Sequence, residues 1–430
     1  MSSHPLDGHP HLAWHRNALC LESVQLADLA QQYGTPLFVY SRAAMLSALS
    51  AYQRGLNGRQ SGHPSQVCYA VKANPSLAVI QLMAQAGCGF DVVSGGEIAR
   101  VLAAGGVASQ IVFSGVGKSR TEMVDALHAG IGCFNVESLP ELALLSHVAH
   151  SMGLRAPFSL RVNPDVDAKT HAYIATGQKT NKFGIAHDDV LSAYQLAAAM
   201  PGLDIKGMAC HIGSQITLID PYLSALDRML DLVAAVHTAG IRLSHLDLGG
   251  GLGINYNGET PPDAEQLLRQ ILSRLEVRGF GDLVLQIEPG RSLVGNAGVC
   301  LTEVLYLKPG DPKNFCIVNA AMNDLPRPAM YQAFHQMVPV RVRPDPPVMW
   351  DVVGPVCESG DWLGRDRLLA VEQGDLLAVL SAGAYCMSMA SNYNSRSRAA
   401  EVMVDGQNAH LIRSRETVTD QMRHERLVAR

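Results

Sequence analysis

VCYAVKANPSLAVIQLMAQAGCGFDVVSGGEIARVLAAGG, residues 67–106, holds two copies of one pattern. A continuous apolar run (67–71) gives way to a polar turn and then to a stretch of helical periodicity (77–87). A second run (90–93) is followed by another such stretch (96–106). Continuous rather than alternating apolar runs belong to parallel strands buried on both faces, and the stretches between them read as crossover helices. Outward from here the pattern repeats. Further runs begin at Ile111, Cys133, Phe158, Ile205, Leu243 and Leu283, making eight between residues 67 and 291. Eight β-α units predict a (β/α)8 barrel, whose active site lies at the C-terminal ends of the strands. Those ends hold Lys72, Ser94, Ser114, Glu137, Asn163, His211, the glycines at 249–251 and residues 288–291. The polar chemistry sits where a barrel enzyme needs it.

After Arg291 helical periodicity fades. Short β-branched runs replace it (299–307, 314–320, 338–343, 351–356, 375–383, 399–406, 409–414), with turn-forming stretches such as KPGD at 308–311 between them. This predicts a mainly β C-terminal domain. The strand-like PLFVY at 36–40 precedes the barrel and is expected to complete that domain. The expected division is a tail and strand over 1–41, a barrel over 42–294 and a β domain over 295–430. His4, His9, His11 and His15 suggest metal binding at first sight, but a mobile polar tail is the preferred reading, and no metal site is expected. Residues 55–66 and 256–263 read as surface loops.

Composition sets limits. The 430 residues are 47% hydrophobic and 17% charged, with net charge −5, so there is no basic footprint for nucleic acid or an anionic membrane. Nine scattered cysteines without a CxxC pair argue for a reducing, cytoplasmic setting rather than a disulfide framework or zinc site. No apolar run approaches the length of a membrane span, and the N-terminus shows no signal-peptide pattern.

Lys72 leaves a buried strand for the barrel mouth. Partial desolvation there makes an amine nucleophilic toward carbonyls, although a lysine at a rim also binds anions. The other strand ends favour the first role. His211 lies in HIGSQ, LGGG at 248–251 is a strand-to-helix loop whose backbone can approach a phosphate, and EPGR closes the eighth strand. Lysine, imidazole, phosphate loop and carboxylate on one barrel face suggest pyridoxal 5′-phosphate held as a Schiff base.

YAVKAN, FDVVSGGE, VFSGVGKS, NVES, RVNPDVDAKTH, TGQKTNKFGI, HIGSQ, LDLGGGLGI, EPGRSLVGNAG, GPVCESGD and GAYCMSMASNYNSR occur in order. Together they resemble the bacterial diaminopimelate decarboxylases, of the alanine-racemase-like group of pyridoxal phosphate enzymes, over residues 20–420. The resemblance implies decarboxylation of meso-2,6-diaminopimelate to L-lysine, the last step of lysine biosynthesis, by a homodimer with shared active sites. It makes Lys72 the covalent anchor of the cofactor and His211 the imidazole on its ring. Ser214, Gly250, Gly251, Pro289, Gly290 and Arg291 then lie around ring and phosphate, and Tyr385 reaches the phosphate and the substrate. Glu288 faces the pyridine nitrogen, where a carboxylate keeps that nitrogen protonated and the ring a strong electron sink. Arg291, Arg327 and Tyr331 are implied for the substrate's distal carboxylate, and arginine suits a carboxylate through paired charge-assisted bonds. Glu358 is implied for the distal ammonium. Cys357 is implied as proton donor, a role open to a thiol that is mostly protonated at neutral pH. The CESGD loop is expected in the neighbouring subunit's barrel, with Lys182 pairing Asp361 across the interface.

The sequence departs from the family at Asn319, often aspartate, and at Cys386. Other readings are a decarboxylase of ornithine, arginine or a carrier-bound substrate, a racemase, and a catalytically dead regulatory homologue. A plain diamine precursor calls for an acidic distal group rather than Arg327 and Tyr331. A racemase gives no reason for Glu288. A dead homologue loses the lysine or the cysteine, and both are present.

Overall fold

The structure is a computed structural model that describes residues 4–57, 65–166 and 182–429. The chain divides into two compact units, one of residues 48–253 and 260–292, the other of residues 1–47, 254–259 and 293–430.

The first unit is a closed eight-stranded parallel barrel. Its strands are Gln66–Ala70, Gly89–Val92, Ile111–Phe113, Cys133–Val136, Ala156–Asn163, Leu203–Ala209, His245–Asp247 and Val284–Ile287. Each pairs in parallel with the next, and the eighth closes on the first through Gln286 with Gln66 and Ile287 with Val67. All eight fall on the apolar runs of the sequence. Helices between them bury one stripe each. Ala264–Val277 covers Leu267, Leu268, Ile271, Leu272 and Leu275, and its Asp263 cap accepts from Gln266 N–H at 3.0 Å. Buried leucines of this kind contribute about 1.5–3 kcal/mol each, the cap about 1 kcal/mol.

The barrel interior is partly polar. Ser159 Oγ lies 2.7 Å from His245 Nε2 and 3.3 Å from Cys133 Sγ. Burial, aided by the charge of Lys206, pushes His245 down to about 4, so this imidazole is neutral. Eight of the nine cysteines are buried free thiols, Cys68, Cys88, Cys133 and Cys210 among them; Cys357 alone is exposed.

The second unit is mainly β. Its sheet runs Trp362–Leu369, Val348–Val353, Phe315–Val318, Gly298–Lys308, Leu37–Ser41, Ala400–Asp405, Asn408–Arg413, with Leu376–Val379 attached to Gly298–Lys308 and Met337–Pro339 attached in turn to Leu376–Val379. Leu37–Ser41, the strand expected to complete the domain, pairs antiparallel with Gly298–Lys308 and parallel with Ala400–Asp405.

Residues expected to form a mobile tail are instead ordered into strands. His4–Leu6, His9–His15, Ala18–Leu21 and Val24–Gln25 make an antiparallel sheet. Leu12, Leu19 and Leu21 enter one core with Val39, Val299, Leu301, Val340, Leu380 and Val402. His9 is buried, its Nδ1 3.0 Å from Asn296 O and its Nε2 3.3 Å from Ser381 Oγ. The alternate apolar positions of this stretch outweigh its histidines. Asn319 is a brace within the unit, accepting from Thr302 Oγ1 (2.9 Å) and donating to Thr35 Oγ1 (2.7 Å). Cys386 is buried beside Ala384 O. Among the described residues no helix is long and apolar enough to cross a membrane.

Candidate active site

The first barrel strand ends in a single 3-10 turn, Val71–Ala73, which turns Lys72 off the strand. Its Nζ bonds the carboxylate of Asp91. Asp91 belongs to the second strand, opposite Ala70, and is fully buried, while Lys72 remains about a third exposed. The amine is thereby held by the neighbouring strand and still open to the mouth.

The turn after the eighth strand is tied to both neighbours. Ala70 N–H donates to Pro289 O (3.1 Å) and Glu288 N–H to Gly249 O (2.7 Å). Gly290 packs so closely that a Cβ there would stand 2.9 Å from that of Ala73. Arg291 is buried and donates to Ser214 Oγ at 2.9 Å. After the seventh strand, Gly249 has φ +68° and lies against His211, where a side chain would collide with Nδ1. A Cβ on Gly250 would stand 2.1 Å from Glu288 O, and one on Gly251 2.2 Å from Gly213 O. Only glycine lets these three loops meet.

His211 follows the sixth strand and is half-buried. Burial, then the charges of Arg161 and Lys72, push it well below the ordinary imidazole range, so it is neutral. Gly250 N–H donates to its Nδ1 (3.2 Å), which leaves the ring proton on Nε2. Arg161 is paired with buried Glu137 (2.7 Å) and stacked on Phe183.

Glu288 carries the main electrostatic tension. Burial, then the charges of Asp247 and Asp91, raise it well above the usual carboxylate range. Asp247, hydrogen-bonded to it, is raised as well, chiefly by burial, but accepts from Gly249 N–H (2.8 Å) and Asn135 Nδ2 (3.3 Å). Two buried carboxyls in contact share a proton, and the extra donors put the charge on Asp247 and the proton on Glu288. Glu288 Oε1 is buried without a hydrogen-bond partner among the described residues. A protonated ring nitrogen there would supply the missing donor and hold Glu288 ionised. The site fits pyridoxal phosphate on that ground.

The β unit carries the remaining candidates. Arg327 opens the short helix Arg327–Tyr331 and is buried, with Tyr331 half-buried one turn on. Arg327 Nη1 lies 2.9 Å from His335 Nε2, and the guanidinium sits 4.4 Å over the Tyr256 ring. Tyr256 is therefore buried rather than part of a surface loop. Cys357 and Glu358 are exposed neighbours on a fixed loop: Cys357 N–H donates to Asn394 Oδ1 (2.8 Å) and Tyr393 OH to Glu358 Oε1 (2.5 Å). Tyr385, half-buried, has φ +56°, a strained backbone for a bulky residue.

Asp361, read as the partner of Lys182 across a subunit interface, makes other bonds within its own chain. Asp361 is buried and its two oxygens accept from Met322 N–H and Val356 N–H, both at 2.7 Å. It ties two loops together instead of facing outward. Residues 167–181, which take in parts of two family motifs, and 58–64, within an expected loop, lie outside the described residues.

The pyridoxal-binding domain of pyridoxal-dependent decarboxylases matches residues 45–295. A diaminopimelate decarboxylase from Pseudomonas aeruginosa is 54% identical over 402 residues, 94% of this chain and 95% of that one. The chain belongs to the diaminopimelate decarboxylase family. Solved members agree in fold. The diaminopimelate decarboxylase from M. jannaschi superposes with a TM-score of 0.94 at 35% identity, covering 98% of this chain and 99% of that one. The Helicobacter pylori enzyme, complexed with L-lysine, gives 0.88 at 40% identity over 93% and 98%.

Several site residues escaped sequence reading. Asp91 and Asp247 lie inside strand runs, where a lone acid reads as a strand-end accident. His335 and Tyr256 sit in loops with no periodicity to mark them. One signal was available: an acid within a buried parallel strand needs a partner.

Proposed function

We propose that this chain uses pyridoxal 5′-phosphate to convert meso-2,6-diaminopimelate to L-lysine and carbon dioxide, completing lysine biosynthesis. One observation carries the choice of substrate. The buried Arg327 guanidinium meets a neutral imidazole and a phenol ring, and among the described residues no carboxylate forms an ion pair with it. A buried cation without a counterion awaits an anionic ligand group.

When bound, the cofactor supplies a carbonyl carbon for amine attachment and a ring that draws off the electron pair left by carbon dioxide. Lys72 Nζ would be the amine that anchors it, and Asp91 holds that amine in place. His211, neutral, would pack on the ring without adding charge. Glu288 would face the ring nitrogen and, as a carboxylate, would keep the proton on that nitrogen, while Asp247 is held by Gly249 and Asn135. Arg327, with Tyr331 and Arg291, binds the distal carboxylate; Glu358 binds the distal ammonium. Cys357 Sγ–H delivers the proton to the substrate carbon. Product analysis across meso-diaminopimelate, lysine, ornithine and arginine tests the reading: carbon dioxide should come from diaminopimelate alone, and equal release from ornithine would overturn it.

The second part of the proposal is a homodimer in which each site takes its Cys357 and Glu358 from the other copy. The exposure and fixed geometry of that loop support it. Mixing Lys72→Ala with Cys357→Ala subunits should then restore activity, since a mixed dimer holds one intact site. Equal mixing gives about half heterodimers, hence roughly a quarter of wild-type activity. No recovery despite demonstrated subunit exchange would place both residues in one chain.

A further inference from the structure

We infer that His335 is a positioning residue for Arg327: a neutral hydrogen-bond acceptor that aims the guanidinium and leaves its charge for the substrate's distal carboxylate. The inference rests on the diaminopimelate reading above and adds a residue to it.

His335 is fully buried. One ring nitrogen, Nδ1, lies 2.8 Å from Leu380 O; the other, Nε2, lies 2.9 Å from Arg327 Nη1. A carbonyl can only accept and a guanidinium can only donate, so the ring proton sits on Nδ1 and the Nε2 lone pair faces Arg327. A second proton would point an N–H at an N–H, and the guanidinium itself opposes another positive charge at that distance. The imidazole is locked neutral by geometry. Leu380 N–H donates to Gln336 O (2.8 Å), so the chain carrying His335 and the segment that orients its ring are held together twice. Tyr256 completes the clamp. Its ring face lies under the guanidinium and its edge meets His335 at 5.2 Å and 78°.

The consequence is chemical. An aspartate or glutamate in place of His335 would orient Arg327 as well, but would neutralise it. An apolar residue would leave the charge but lose the aim. Imidazole supplies direction without compensation, and one of the five guanidinium N–H groups is spent on it. Selection for a substrate with two carboxylates therefore depends on a residue that does not touch the substrate.

Three variants of the holoenzyme separate these terms, with calorimetric binding of meso-diaminopimelate and of L-lysine, kcat, KM, Tm and the visible absorbance of the bound cofactor as readouts. His335→Leu should raise Kd and KM for diaminopimelate about 10- to 100-fold, the scale of a hydrogen bond to a charged group, with kcat within about threefold. Its affinity for L-lysine, which lacks the distal carboxylate, should stay within about threefold, and its cofactor absorbance should match wild type. His335→Gln, with one acceptor and one donor, should stay close to wild type. His335→Glu should keep Tm and lose about 100-fold in preference for diaminopimelate over L-lysine, because the ion pair is already made. If Leu and Glu both retain the wild-type preference, or if they weaken both ligands equally, the positioning role is overturned while the substrate reading stands. If wild type itself binds diaminopimelate no better than L-lysine, the reading of Arg327 falls and takes this inference with it.

Discussion

Replacing Lys72 by alanine should abolish decarboxylation and the visible absorbance of covalently held cofactor together. Among the strand-end residues only Lys72 leaves the first strand as an amine, and it does so on a turn that aims it at the barrel mouth. Among the described residues of the barrel the buried amine of Lys118 is committed to Gly115 O and Asn135 O at 2.7 Å and to Glu141 at 2.6 Å, and cannot substitute. Loss of a covalent catalytic group leaves only binding contributions, so turnover should fall by roughly three orders of magnitude or more. Borohydride reduction of wild type should label the peptide containing Lys72; a label elsewhere would remove the assignment. A second effect separates chemistry from folding. The substitution strands the buried Asp91 carboxylate, and losing one partner of a buried pair costs about 3–5 kcal/mol, reduced here because Lys72 is partly exposed. Lys72→Arg keeps that pairing charge. It should recover much of the lost Tm while remaining inactive, which a purely structural role for Lys72 would not allow.

The barrel was legible because its signal is redundant. Each strand is a continuous apolar run, each is followed by helical periodicity, and a misread strand would still leave seven. The strand ends were legible for the same reason, since Lys72, His211, residues 249–251 and residues 288–291 each stand where a run stops. What lay hidden was pairing at long range. Nothing in FDVV marks Asp91 as the counterion of a lysine nineteen residues earlier. Asp247 looks like the polite end of LDLGGG, yet it is the group that decides where the Glu288 proton resides. The N-terminal strands were misread because four histidines drew attention from Leu12, Leu19 and Leu21, whose burial gives that segment its place in the core. Lys182 and Asp361 were read as a pair across a subunit interface; within this chain Asp361 is buried and accepts from two backbone N–H groups, a role that sequence does not mark.

Replacing Arg327 should cost activity without costing stability. Its guanidinium is buried beside two neutral groups, so the free protein bears a desolvation penalty that substrate relieves. In Arg327→Ala the distal carboxylate of diaminopimelate enters a buried place without a cation. Removing one partner of a buried pair costs about 3–5 kcal/mol, and at about 1.4 kcal/mol per decade kcat/KM should fall by roughly two to three and a half orders of magnitude. Arg327→Met fills more of the same volume and should have the same kinetic defect with Tm equal to wild type or higher, since a buried charge has been exchanged for an apolar chain. Cofactor absorbance should be unchanged in both, as Lys72, His211, Glu288 and Arg291, proposed to hold the cofactor, belong to the barrel and not to the helix that carries Arg327. Lysine and ornithine should be poor substrates of wild type, because either would leave the arginine unpaired in the closed site. Near-normal kcat/KM for diaminopimelate in Arg327→Ala would remove the residue from substrate recognition. A large drop in Tm for Arg327→Met would instead make the guanidinium a structural brace, with His335 and Tyr256 as its partners in folding rather than in specificity.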